Sequence, residues 1–411
     1  MRGYLFVVVG AWVISITYGV RFAFGQFLPA IQREFRLDHD DTALLACSVY
    51  AGTCAALLVA AFLTERWGAR VTVMAAMAFA ALGALTVSLA QSQAYLLASL
   101  SFIGIGSGLS MPPLVAGVSV LCRRYKERAV SVINAGTGAG IVAASMTALQ
   151  FAETWRTCFL VFALISVTLS LAAFFAVPRR PVANARSGSF GEVFKSPGLH
   201  QAASSALLFG MVSAAIWTGG GLSLVGLADW SAAEISLFWI VLGLAGLLGG
   251  LCGDLVAKLS LAEMHSVSFV GLGASALLLT MAEHSATLAI FAACLFGIFY
   301  MTGTAMYLIW AGRISRNHAP TVVAVLFFML PVGQILGSAI FGQLAGHFDY
   351  DHVLVVFTLM SSCFILIQVV SRIDLPSRYG ARDADAVPIE AAGVSGATAE
   401  ERGDTRWQDA G

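Results

Sequence analysis

Ala61-Phe62-Leu63-Thr64-Glu65-Arg66-Trp67-Gly68-Ala69-Arg70 is a short charged break between two apolar runs, 42–62 and 71–90. Each run has about 20 residues, the length that crosses a hydrocarbon core ~30 Å thick. A connection this brief turns the two runs into a hairpin of membrane helices. A similar break recurs at Gly250-Leu251-Cys252-Gly253-Asp254-Leu255-Val256-Ala257-Lys258. In both, a carboxylate follows a small residue by four positions and a cation comes next. A matching feature in a second half of the chain is what an internally duplicated carrier would show.

Working outward, the 411 residues contain twelve such runs, near 4–30, 42–62, 71–90, 94–121, 129–151, 157–177, 201–227, 234–253, 264–282, 286–311, 320–344 and 353–373. Hydrophobic residues make up 58% and charged residues only 11%, and the mean hydropathy is +0.84. Soluble domains carry about 25% charged residues, so an ordinary globular protein is excluded. Inside a bilayer the backbone must satisfy its own hydrogen bonds, which selects helices for runs of this length. We therefore expect an all-α integral membrane protein with two pseudo-symmetric six-helix bundles. The first run is read as a retained span, since no small-residue cleavage site follows a short apolar core.

The net charge is zero, yet nineteen of the 23 Lys and Arg fall on one side of the twelve-span topology and only Arg33, Arg36 and Arg156 on the other. The positive-inside rule then places both termini in the cytoplasm. The polar segment 178–200, with Pro178, Pro181 and Pro197, divides the spans six and six. It reads as a cytoplasmic linker between bundles at 1–177 and 201–373, with Pro197 at the first turn of the seventh span. Ser231-Ala-Ala-Glu234 has the form of a capping box. Residues 374–411 are polar and acidic and read as a disordered cytoplasmic tail. The seven cysteines form no CxxC and read as small buried hydrophobes.

The loop after the second span resembles the signature of the major facilitator superfamily, G-x-x-x-D-R-x-G-R-R, through Glu65, Arg66, Gly68 and Arg70. Glu replaces Asp, Ala61 replaces Gly and Ala69 replaces one basic residue. Gly250, Asp254 and Lys258 carry a weaker second copy. The resemblance covers about residues 4–373 and implies a twelve-helix carrier in which Glu65 and Arg66 latch the outward-open state. Tyr18-Gly19, Phe24-Gly25, Pro29, the Arg124-Tyr125…Arg128-Ala129 loop and Gly136-x-Gly138-x-Gly140 resemble monocarboxylate and oxalate/formate carriers. Gly19-Val20-Arg21-Phe22 and Gly333-Gln334-Ile335-Leu336-Gly337 are similar to a group of uncharacterised bacterial carriers. No Arg or Lys lies well inside the eighth or eleventh span, where the carboxylate carriers the chain resembles keep a second cation, so the resemblance does not imply a dicarboxylate.

Arg21 is the candidate centre of the site. It lies sixteen residues into the first span, about 24 Å along a helix rising 1.5 Å per residue, just past the midplane. A cation there costs roughly 2.5–3.5 kcal/mol on insertion scales and normally faces a partner or a wet cavity. The acids sit elsewhere: Glu65 and Asp254 at one set of helix ends, Asp229 and Glu234 at the other. Its planar fork suits a carboxylate ligand; bonding to neutral neighbouring helices is the competing account. Tyr18 lies one turn below on the same face. Trp217 and Thr218 mark the middle of the seventh span, and Tyr300, Thr304, Tyr307 and Trp310 form a stripe on the tenth. Asn134 and Gln334 could add hydrogen bonds or pack the bundles. Gly104-x-Gly106-x-Gly108 with Pro112-Pro113 lies in an apolar helix and reads as close packing, not a phosphate loop.

These features point to a secondary transporter of a small, monocarboxylate-like anion, with Arg21, Tyr18, Trp217, Tyr300, Thr304 and Tyr307 as substrate-binding residues. We expect no enzyme activity, cofactor, metal or nucleic-acid partner, and a monomer in a bacterial inner membrane. Proton symport is compatible with the sequence, although no mid-membrane carboxylate is there to carry the proton. An exporter of drugs or metabolites is the alternative within the same fold, and a non-transporting sensor or scaffold the alternative outside it.

Overall fold

In the computed structural model, residues 2–37, 39–122, 124–151, 154–179, 193–196, 198–256, 258–315 and 318–370 are described. Side chains are not described for 29, 39, 40, 42, 43 and 366–370. The first six spans are α1 (Arg2–Phe35), α2 (His39–Trp67), α3 (Ala69–Ser88), α4 (Gln93–Leu121), α5 (Lys126–Phe151) and α6 (Trp155–Ala176). The seventh comprises α7 (Leu199–Trp217) and α8 (Gly219–Ala228). The eighth comprises α9 (Ala232–Gly246), a 3-10 turn (Leu247–Leu251) and α10 (Cys252–Leu255). Then come α11 (Leu261–Leu279), α12 (Ala286–Ile314), α13 (Ala319–Ala345) and α14 (Tyr350–Val370). Among the described residues, eleven stretches are long and apolar enough to span a membrane, and Tyr350–Ile365 is a shorter apolar helix.

The same neighbour pattern appears twice. α1 packs on α5, α2 and α3 on α4, and α3 on α6; six spans later α7 packs on α13, α9 and α11 on α12, and α11 on α14. Glycines explain the tightest of these contacts. A Cβ on Gly136 or Gly140 of α5 would collide with the backbone of Ala11 or Ser15 in α1. A Cβ on Gly333 or Gly337 of α13 would collide with Leu207 or Met211 in α7. The triple at 104–108 does the same for α4, with Gly104 and Gly108 facing Val49 and Thr53 of α2 and Gly106 facing Ala76 and Ala80 of α3. Backbones that approach this closely gain dispersion contacts along their length, the main source of helix association in lipid.

Three expectations need correction. The seventh span is interrupted at Thr218, where three glycines, 219–221, weaken the helix and Gly219 meets the ring of Phe341. The eighth narrows to a 3-10 turn where Gly249 lies against Met301. The seventh span opens at Leu199 after Gly198, which has φ 82°; the expectation for Pro197 lies outside the described residues. Cys47 and Cys363 are exposed on the bundle surface instead of buried. The Ser231–Glu234 capping box is present, and Ser260–Glu263 forms a second one at α11. The tail 374–411 and most of 178–200 lie outside the described residues.

Candidate substrate site and the contacts at the basic end

Arg21 is half-buried on α1. Its guanidinium lies over the ring of Tyr50 on α2 at 4.8 Å and over Tyr18, one turn back, at 5.9 Å. Two aromatic faces partly replace the hydration that a mid-membrane cation gives up. Among the described residues Arg21 forms no ion pair, whereas Arg128 pairs with Asp254, Arg156 with Glu34 and Arg313 with Glu127. Cys54, one turn beyond Tyr50, and Tyr300 on α12 both lie within electrostatic range of Arg21.

The neighbouring residue Phe22 reaches the other half of the molecule. Its ring stacks on Trp217 of α7 with centroids 5.0 Å apart and planes 23° apart. Trp217 stacks in turn on Trp239 of α9 at 5.5 Å and meets Phe296 and Tyr300 edge-on. Gln334 of α13 donates to the Tyr300 hydroxyl at 3.1 Å. A cation with two tyrosines therefore sits beside an aromatic wall contributed by three helices of the second half. That combination can bind a carboxylate at one end and pack an apolar body at the other.

Of the six residues expected at the site, Arg21, Tyr18, Trp217 and Tyr300 are brought together. Thr304 instead accepts a hydrogen bond from Asn134 Nδ2 of α5 at 2.9 Å, and Asn134 also donates to the Met301 carbonyl at 3.2 Å. Tyr307 is fully buried and bonds Ser205 on α7 at 2.7 Å. Tyr50, Phe22 and Trp239 were not singled out by sequence. Tyr50 had one signal, a phenol inside an apolar span; the other two look like ordinary lipid-facing or core aromatics.

A second set of contacts joins the halves at the end bearing the charged loops. Arg313, in the last turn of α12, donates through Nε and a terminal nitrogen to Glu127 Oε1, at 3.1 and 2.8 Å. Arg128 lies 3.5 Å from Asp254 of α10. Thr321 of α13 donates to Glu65 Oε1 at 3.3 Å. Gly253 lies against the backbone of Glu127 and Arg128 with no room for a side chain. Arg66 and Lys258 are exposed. Arg70 donates to the Val177 carbonyl at 2.8 Å and lies over Phe174, so it ties α3 to the end of α6. Gly68, with φ 86°, makes the turn into α3. Glu127 and Arg313 carry no sequence signal of their pairing, because partners 186 residues apart meet only after the halves fold together.

A family model described as Major Facilitator Superfamily matches residues 10–264. The chain belongs to the Major Facilitator Superfamily. Among curated proteins, monocarboxylate transporter 11 of Mus musculus is 28% identical over 161 residues, covering 38% of this chain and 36% of the relative. The Homo sapiens protein of the same name is 28% identical over 168 residues, covering 40% and 36%. The match thus spans about a third of the length of these relatives. Among solved structures, the proton:xylose symporter XylE bound to 6-bromo-6-deoxy-D-glucose superposes with a TM-score of 0.74 at 12% identity, covering 90% of this chain and 95% of that one. At that identity the likeness is one of fold. The family and the fold expected from the Glu65–Arg70 loop are thus both found.

Proposed function

We propose that this protein is a secondary transporter of a small organic anion that binds at Arg21 and crosses by alternating access. The observation that carries the reading is the Arg21 guanidinium, held mid-helix between Tyr18 and Tyr50 with no ion pair among the described residues. A fixed cation in a low-dielectric cavity attracts an anion strongly, and the guanidinium fork matches a carboxylate. The stacked wall of Phe22, Trp217 and Trp239 favours an anion with an apolar body, a monocarboxylate in preference to a dicarboxylate. The partial likeness to monocarboxylate transporter 11 supports the same class.

We place the bundles at 1–177 and 201–373, with both termini in the cytoplasm of a bacterial cell and the carrier acting as a monomer. In that orientation the Glu127–Arg313, Arg128–Asp254 and Glu65–Thr321 contacts close the cytoplasmic end, and the arrangement is the outward-facing arm of the cycle. Alternating access then requires these contacts to break as the bundles rock about the site.

The test is uptake of radiolabelled L-lactate, pyruvate and benzoate into proteoliposomes. Arg21→Ala should abolish uptake of whichever anion the wild type carries, while the melting temperature stays within a few degrees. Undiminished uptake by Arg21→Ala sinks the assignment. A thermal-shift screen of carboxylates on purified protein narrows the substrate first, because a ligand stabilises the state it binds by mass action.

A further inference from the structure

No described carboxylate pairs with Arg21, yet one turn into α11 the second half holds a buried imidazole. His265 lies on α11 with 5% of its surface exposed. The sequence places it near a helix end, like the other histidines; packing buries it. Its Nε2 is hydrogen-bonded to Ser205 Oγ of α7, and the same Oγ lies 2.7 Å from the hydroxyl of Tyr307 on α12. One serine thus joins three helices of the second bundle. Tyr307 is fully buried, and Ser205 is half-buried.

From this geometry we infer that His265 is a proton-binding site and that Ser205 and Tyr307 convert its protonation into a change on α12. The inference rests on the transporter reading for its coupling role, though not for the existence of the site. In the neutral form with the proton on Nδ1, Nε2 accepts the Ser205 O–H and Ser205 Oγ accepts the Tyr307 O–H. A proton taken from water onto Nε2 occupies the lone pair that accepted that bond. Nε2 then donates to Ser205 Oγ, and of the two O–H groups that share Ser205 Oγ and the Tyr307 oxygen one loses its partner within the triad. A buried donor without a partner costs roughly 1–3 kcal/mol, so the protonated form favours an arrangement in which Tyr307 has moved.

α12 is well placed to transmit that movement. Tyr300 of the anion site lies two turns before Tyr307, and both rings touch the fully buried Phe209, at 5.7 and 5.6 Å. Arg313, which holds Glu127 across the bundles, lies in the last turn of the same helix. A proton at His265 is thereby connected to the site at one end and to the closing contact at the other.

Among the described residues, few titratable or charged groups surround His265. α12 presents Tyr307, with Trp310 edge-on at 6.3 Å. α7 presents Ser205, and carries His200 beside Phe194 further toward its start. α14 carries Tyr350, Asp351 and His352 at its far end, with Phe364 against Phe269, one turn from His265. α8 has no titratable residue. On α11 itself, Glu263 is held in the capping box by Ser260. Of the three hydrogen-bonded groups Ser205, His265 and Tyr307, the imidazole is the one whose residue type changes charge near neutral pH.

Trp310 provides the readout, because a protonated imidazole beside an indole quenches its fluorescence. In purified full-length protein titrated from pH 8 to pH 5, the tryptophan emission should fall along a single sigmoid. His265→Gln and Trp310→Phe should each remove it, and His200→Gln should leave it intact. Tyr307→Phe keeps the shape of the site but strands the Ser205 O–H in the protonated form, so it should lower the midpoint. A wild-type signal without a titration, or one that survives His265→Gln, overturns the proton site. In proteoliposomes, an alkaline interior should speed wild-type uptake of L-lactate or benzoate several-fold and leave His265→Gln at its rate without a gradient. A gradient response in His265→Gln equal to wild type overturns the coupling. A wild-type titration without movement of any anion would refute the anion reading and leave the proton site standing.

Discussion

Arg313 Nε and a terminal guanidinium nitrogen converge on one oxygen of Glu127, 3.1 and 2.8 Å away, and so bind the last turn of α12 to the first turn of α5. The two side chains keep 29% and 39% of their surface. At that exposure an ion pair contributes about 1 kcal/mol or less, a roughly fivefold change in the population of a two-state equilibrium. Glu127→Gln or Arg313→Ala should therefore open the charged end measurably without unfolding the protein. The exchange of both residues, Glu127→Arg with Arg313→Glu, should restore the wild-type distribution. Distances between spin labels placed on the α5 and α12 ends would read this out; a double exchange no better than either single variant would count against the pair.

Asn134 contributes a different kind of link, because it is buried. Its amide donates both to Thr304 and to the Met301 carbonyl across the bundle interface. Asn134→Leu should weaken the closed end by about 1 kcal/mol, the usual net worth of a protein hydrogen bond. The Thr304 hydroxyl still donates to Met301, so no buried donor is stranded. Combined with Arg313→Ala, the two effects should add in the same spin-label measurement.

Tyr50 supplies the closer ring under Arg21. If the ring face is what matters, Tyr50→Phe should change anion affinity by less than about threefold. Tyr50→Ala should lose the cation–π contact, worth about 0.5–2 kcal/mol, and weaken binding by roughly two- to thirtyfold. Equal loss in both variants would mean that the hydroxyl, not the ring, holds the guanidinium or the anion.

Two glycines of α13 make opposite predictions. A Cβ at Gly333 would run into the Leu207 backbone of α7, whereas Gly342 has open space around it. Overpacking costs about 1–3 kcal/mol, and Ala is preferred over Gly in a helix by up to ~1 kcal/mol. Melting of the detergent-purified variants should show Gly333→Ala clearly destabilised and Gly342→Ala unchanged or slightly stabilised.

Much of the architecture is legible in the amino-acid sequence itself. Twelve apolar runs, the asymmetry of Lys and Arg, the doubled charged loop and the glycines at 136, 140, 333 and 337 each report a local or periodic property. A bilayer turns such properties into architecture, because its thickness sets helix length and its dryness forbids unpaired backbone. Arg21 also declares itself, since a lone cation in an apolar run is costly wherever the chain goes. What the sequence does not assign is company. Tyr50 is placed under Arg21 by the packing of α2 beside α1. Phe22 meets Trp217 only where the two bundles touch. Tyr307, in register with Tyr300 on one helical face, is drawn away to Ser205 and His265 by the position of α7 and α11. Helix periodicity determines which residues share a face, but which neighbour that face meets depends on long-range packing, and that is decided by the tertiary structure alone.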